Sequence, residues 1–165
     1  MVCPASPEPA EAAFKAMFVI AGTAMAVRDG LCEILRHPVM AHQTDELRGD
    51  VEVVLAEALN NVVEHAYCQS DGQIELFVRI VSGRLLCDIF DTGAAMPNGD
   101  LPPGLAIPIT PDDDLPEGGF GWLLIRSLTQ NLRYSRIDAR NHLSFNLNIE
   151  HSSGNEAAIV SCQVE

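Results

Sequence analysis

Residues 52–67 read EVVLAEALNNVVEHAY, and the way this stretch folds decides how the rest of the chain is organised. With Val51 just ahead of it, Leu55, Ala58, Val62 and Ala66 recur at helical spacing and form an apolar face. Glu57, Asn61 and His65 stand four residues apart, which stacks them on successive turns of a second, polar face. A polar stripe on an amphipathic helix is ordinarily its solvated side. What flanks the helix decides whether this one is more than that.

Upstream, Thr44-Asp45-Glu46-Leu47 offers an N-cap followed by early acidic charge, so the helix is expected to run from about Thr44 through Tyr67. Phe14 to Ile20 has the aromatic and β-branched content of a strand. Thr23 then opens a first helix to about Arg36, which His37-Pro38 stops. Ala16 to Val27 is an apolar run of 12 residues, and Ala24-Met25-Ala26 resembles a signal-peptidase site. Glu8 and Glu11 precede the run, however, and Lys15 is the cation near it. Strand plus capped helix is therefore preferred to a secretory leader, and the run is too short to span a bilayer.

Downstream, Cys68 to Gly72 reads as an exit turn. QIELFVRIV (Gln73 to Val81) and RLLCDIF (Arg84 to Phe90) alternate around Ser82-Gly83 as an antiparallel hairpin. Asp91 to Gly119 is a long proline-rich stretch with the acidic run Asp112-Asp113-Asp114, and a loop this long in a compact domain calls for a function. GFGWLLIRSLTQ resumes as a helix. Leu132 to Ile137 and His142 to Ile149 form a final strand pair, with Arg140-Asn141 assigned to the turn. The expected fold is an α/β two-layer sandwich, with helices on one face of a mostly antiparallel sheet. Residues 1–12 read as a flexible arm, 13–150 as one domain and 151–165 as a tail.

The 165 residues suit one domain with one core, and 47% hydrophobic with 20% charged residues is a globular composition. The net charge of −13, from 23 acidic and 10 basic side chains, argues against a nucleic-acid partner, which needs clustered Lys and Arg. Cys3, Cys32, Cys68, Cys87 and Cys162 show no C-x-x-C pair or zinc spacing. They read as free thiols in a reducing compartment, hence a cytoplasmic protein without a membrane partner.

Three pieces carry chemistry. The first is the Glu57/Asn61/His65 helix. The second is Asp91-Thr92-Gly93 at the end of a buried strand; it is either an ordinary turn or an acceptor for a ligand amino group, with Gly93 leaving room for a flat ring. The third is Glu117-Gly118-Gly119-Phe120-Gly121 running into a helix, either a hinge or a set of backbone donors for an anion. It lacks the Lys-Ser/Thr of a P-loop, and the parallel frame of a dinucleotide fold is missing.

Taken in order, Glu57-Ala58…Asn61…His65-Ala66-Tyr67, strand–Asp91-x-Gly93, long loop, then Glu117-Gly118-Gly119-Phe120-Gly121-Trp122-Leu123-Leu124-Ile125 resemble the ATP-binding domain of the GHKL superfamily. The closing Arg133-Tyr134-Ser135-Arg136…Asn141-His142-Leu143 is similar to the anti-sigma-factor serine kinases within it. The resemblance spans about Phe14 to Ile149 and implies a Bergerat-type ATP-binding fold. It further implies ATP and Mg²⁺ as cofactors, with Asn61 as metal ligand and Glu57 as catalytic base. Asp91 would meet the adenine amino group, and Gly93 would clear the ring. Gly118, Gly119 and Gly121 would approach the phosphates, and His65 and Asn141 are candidate nucleotide contacts.

Arg28 matches a family arginine on the partner-binding face, or is a solvated helix charge. The implied partners are a STAS-domain antagonist, phosphorylated on Ser/Thr, and a sigma factor or other sequestered target. Many family members also form homodimers, for which Met17, Val19 and Ile20 on an edge strand are candidates. Two departures stand out: Ala95 occupies a position where relatives often have a second glycine, and Arg140-Asn141 replaces a Gly-Thr pair. They keep open a protein-binding regulator that has lost turnover. A detached histidine-kinase module is disfavoured, because His37 and His42 sit beside a helix end and a proline rather than in a phosphoacceptor hairpin.

Overall fold

The computed structural model describes residues 14–102 and 120–149. The chain enters through strand β1 (Phe14–Ala21), then forms helix α1 (Ala24–Arg36), a one-turn helix α2 (Pro38–Ala41) and the long α3 (Asp45–Asn61). A π-helical turn (Val62–Ala66) leads to the hairpin of β2 (Gln73–Val81) and β3 (Arg84–Asp91). Helix α4 (Phe120–Leu128) precedes a second hairpin, β4 (Gln130–Ile137) and β5 (Arg140–Asn148).

The strands form one sheet in the order β1–β2–β3–β5–β4, and every neighbouring pair is antiparallel. The expected α/β two-layer sandwich is what forms. Ile74, Leu76, Val78 and Ile80 of β2 and Leu85, Cys87 and Ile89 of β3 are all buried, as are Leu143, Phe145 and Leu147 of β5. Against this face α3 lays Val51, Val54, Leu55, Ala58 and Leu59, joined by Val27 and Ile34 of α1 and Ile125 of α4. Burial of this apolar surface is the main force holding the layers together. Truncating one such side chain, Leu55→Ala for instance, costs about 2–5 kcal/mol. No helix among the described residues is long and apolar enough to cross a membrane.

The period-two alternation also positions polar groups. Counting along β3, the inward series Leu85, Cys87, Ile89 next reaches Asp91; counting back along β5, Leu147, Phe145, Leu143 next reaches Asn141. Asp91 and Asn141 face each other as register partners, and both are buried. Two polar side chains thus occupy core positions at the end of the sheet, where burial demands hydrogen-bond partners.

Four local differences from the sequence expectation have physical causes. The α3 hydrogen-bond pattern stops at Asn61, after which Tyr67 N donates to Val62 O at 2.9 Å, a five-residue step that a helical hydrophobic pattern does not distinguish. Residues Pro38–Ala41 coil into α2 because Pro38 suits a first helical position and His37 Nδ1 accepts from Val39 N at 3.2 Å. The β4–β5 turn is Asp138-Ala139, not Arg140-Asn141. Both turn residues adopt positive φ, 49° and 61°, a pairing that lacks the usual Gly or Asn signal. Finally, of the three candidates on β1, Met17 and Val19 are exposed while Ile20 is 4% exposed and turned into the core, since adjacent strand residues face opposite sides.

Thr23 and Thr44 cap α1 and α3 as expected, their Oγ1 atoms accepting from Ala26 N at 3.3 Å and Leu47 N at 3.2 Å.

Candidate functional site

A cavity of about 890 Å³ opens between the C-terminal end of α3, the π-helical turn, the ends of β3 and β5, and the first residues of α4. Glu57, Asn61, Glu64, His65, Asp91, Asn141 and Gly121 all line it. Ala58, Val62, Met96, Phe120, Trp122, Tyr134 and Leu143 supply apolar wall. An apolar cleft with a few convergent polar groups is the usual form of a small-molecule site.

At its inner end Asp91 is fixed by the protein. Its Oδ1 accepts from Gly93 N at 2.9 Å and from Asn141 Nδ2 at 2.7 Å. Oδ2 receives no hydrogen bond from the described residues, leaving one anionic acceptor on a side chain that lines the cavity. Asn141 is used at every position its amide offers. Nδ2 also donates to Ala94 O at 2.9 Å. Its Oδ1 accepts from Tyr134 OH at 2.7 Å and from Arg136 Nη1. Arg136 Nη1 in addition reaches Gly93 O at 2.9 Å, and Tyr134 OH accepts from Met96 N at 3.1 Å.

The segment leaving β3 is held from the other side by the π-helical turn. Ala94 N donates to Ala66 O at 2.8 Å. Gly93 is buried, and a Cβ built on it would overlap the Ala66 carbonyl oxygen and carbon. Glycine was expected here to clear a ring; its missing side chain is taken up instead by the Ala66 backbone, and Gly93 is absent from the cavity lining. Tyr67 completes the brace. Its OH donates to Gln73 O at 2.7 Å and accepts from Thr92 N at 3.2 Å, and its ring lies where Cβ atoms on Gly22 and Gly72 would fall.

Along the outer wall, Glu57 and Asn61 are half-buried and His65 is exposed. A Cβ on Gly121 would run into Glu57 Oε2, so a side chain at residue 121 would make this carboxylate shift from its present position. Asn61 Nδ2 is buried without a hydrogen-bond partner among the described residues, a state that a ligand or water oxygen would relieve. The lining carries Glu57, Glu64 and Asp91 but no Lys or Arg among the described residues. An anionic phosphate chain could be held there only with a counter-cation and backbone N–H groups. No cluster of three or more His, Cys, Asp or Glu could hold a metal among the described residues. Mg²⁺ binds through one or two protein oxygens plus substrate phosphates and water and needs no such cluster; the Asn61 side chain lines the cavity.

Gly118 and Gly119 lie outside the described residues, as do the arm 1–12 and the tail 151–165. Arg28 is exposed on α1 and is not part of the cavity wall. Ala95 is exposed and is not among the residues of positive φ, so the backbone there does not require the glycine many relatives have. Tyr67, Tyr134, Arg136 and the rim cysteine Cys68 were given no role from sequence. For Tyr134 and Arg136 a signal existed: they pair with Leu143 and Asn141, so alternation along β4 places them on the cavity side.

Residues 22–147 match the family described as the histidine kinase-like ATPase domain. The chain is 33% identical over 124 residues to the serine/threonine-protein kinase BtrW of Bordetella bronchiseptica, covering 74% of this chain and 85% of that one. It is 28% identical over 89 residues to the serine-protein kinase RsbW of Bacillus thuringiensis, covering 51% and 54% of the two chains. Among solved structures, the histidine kinase domain of the Erythrobacter litoralis EL346 blue-light activated histidine kinase matches with a TM-score of 0.47 and 20% identity, over 76% of this chain and 60% of that one.

Proposed function

The chain belongs to the histidine kinase-like ATPase family, and from that premise we propose that it is an ATP-dependent serine/threonine kinase of a partner-switching system. Its substrate would be a Ser or Thr on a STAS-domain antagonist, and its sequestered target a sigma factor or another regulator. The names carried by BtrW and RsbW support kinase chemistry.

The observation that carries the reading is the placement of two kinds of group across one cavity. Asp91 offers a single unused carboxylate oxygen at the inner end, suited to an amino group on a flat base. Glu57 and Asn61 stand on the outer wall, one helical turn apart. Asn61 would hold Mg²⁺, which when bound supplies the counter-charge that the acidic lining lacks. Glu57 would orient the acceptor hydroxyl and take its proton, the role a carboxylate base plays in phosphoryl transfer. Glycine at 121 leaves that carboxylate its present position, which a Cβ there would crowd. Gly118 and Gly119 would add backbone donors to the phosphates, and His65 at the rim would be a further nucleotide contact. Arg28, exposed on α1, would meet the protein partner.

Calorimetry of ATP binding with and without Mg²⁺, on wild type and Asn61→Ala, tests the site. Mg²⁺-dependent binding lost in the variant supports the reading. No binding by wild type removes it in favour of a nucleotide-independent regulator.

A further inference from the structure

The unused oxygen of Asp91 exists because of residues that do not themselves meet the base. An asparagine amide can turn over, exchanging oxygen and nitrogen at almost no cost in shape. At Asn141 the partners forbid that exchange. Arg136 is a donor only, and the Tyr134 hydroxyl, already accepting from Met96 N at 3.1 Å, has its proton left for Asn141 Oδ1 at 2.7 Å. Ala94 O, at 2.9 Å from Nδ2, is an acceptor only. The amide nitrogen is therefore forced toward Asp91 Oδ1, 2.7 Å away, where it meets a second donor, Gly93 N.

We infer that Arg136 and Tyr134, on edge strand β4, are positioning residues that act through Asn141 to fix which oxygen of Asp91 the bound base meets, and so set the preference for a 6-amino over a 6-oxo purine. The inference rests on the reading of Asp91 as the base acceptor. Asn141 itself then works through Asp91, since its four hydrogen-bonding positions are spent within the protein. Arg136 does this while also holding Gly93 O at 2.9 Å, so one guanidinium sets both the carboxylate's partner and the backbone that leaves it. Without Arg136, Asn141 Oδ1 keeps only the Tyr134 hydroxyl among the described residues, and the Gly93 carbonyl loses the donor it has there. The carboxylate is then free to turn and share either oxygen with water.

The test compares affinities for ATP and inosine triphosphate, which carries oxygen where ATP carries the amino group. Wild type is expected to prefer ATP by about tenfold or more, the worth of a hydrogen bond to a charged acceptor. In Arg136→Met the preference should fall to within about threefold, through loss of ATP affinity with inosine triphosphate little changed. Arg136→Lys, which keeps a charged donor, should recover part of the ratio. Tyr134→Phe, which keeps the ring's packing, should lower the ratio without Arg136 being touched, and it covers the case in which Arg136→Met does not fold. Equal loss of both nucleotides with the ratio intact would mean a merely structural role and overturns the inference. So does an unchanged ratio in both Arg136→Met and Tyr134→Phe. If wild type itself shows no preference, the acceptor role of Asp91 is what fails.

Discussion

Replacing Asp91 by asparagine should reverse the base preference of the cavity rather than simply weaken it. Two donors, Gly93 N at 2.9 Å and Asn141 Nδ2 at 2.7 Å, converge on Oδ1. In Asp91→Asn the amide oxygen has to stay under those donors, because turning the amide over would set an NH₂ group against both. The NH₂ group is left at the Oδ2 position, which takes no hydrogen bond from the described residues. A donor then faces the 6-amino group of adenine where an anionic acceptor stood. Loss of one charge-assisted hydrogen bond is worth about 1.5–3 kcal/mol, so ATP affinity should fall about 10- to 150-fold. The same NH₂ group suits a 6-oxo purine, and inosine triphosphate should gain affinity. Calorimetry with both nucleotides on wild type and variant reads this directly, with thermal unfolding confirming that the isosteric change leaves the fold intact. Unchanged affinity for both nucleotides in a folded Asp91→Asn protein refutes the reasoning.

Other perturbations follow from the same geometry. Gly93→Ala puts a methyl group into the Ala66 carbonyl; denaturant unfolding should show a loss of about 1–3 kcal/mol, together with weakened ATP binding. Ala139→Gly relieves a non-glycine residue held at φ 61° and should raise stability by about 0.5–1 kcal/mol without touching nucleotide affinity. Cys68 is exposed on the cavity rim, so Mg²⁺-ATP should slow its alkylation, followed by peptide mapping, while exposed Cys32 reacts at an unchanged rate. Cys87 should stay unmodified in the folded protein, because burial, with Asp88 beside it, pushes its thiol far up and keeps reagent away.

How much of this was legible in the sequence depends on whether a residue's role is local. Helix caps such as Thr23 and Thr44 are local devices and could be read directly. So could the β2–β3 hairpin, whose alternation and Ser82-Gly83 turn are contiguous. Asp91 was legible as a polar residue ending a buried strand. Its fixing was not, because Asn141, Tyr134 and Arg136 lie 43 to 50 residues further along the chain or pair with each other across a hairpin. β4 is an exposed edge strand in which only Leu132 and Tyr134 are partly buried, so its polar content reads as solvated surface. The glycine at 93 was legible as necessary, but the reason was not: the obstacle is a backbone carbonyl from a different element. The π-helical turn was illegible because the hydrophobic pattern of Val62 and Ala66 fits an α-helix equally well, and the bond from Ala94 N to Ala66 O is made by a segment 28 residues further along the chain.

The most direct test of kinase function is transfer of labelled γ-phosphate from ATP to candidate STAS-domain proteins, comparing wild type with Glu57→Gln. Glu57 lies on the cavity wall beside Gly121, one turn from Asn61, so the amide should leave Mg²⁺-ATP binding in place while lowering transfer at least about 100-fold. A wild-type protein that binds Mg²⁺-ATP yet phosphorylates no STAS protein, or a Glu57→Gln variant that transfers at the wild-type rate, contradicts it.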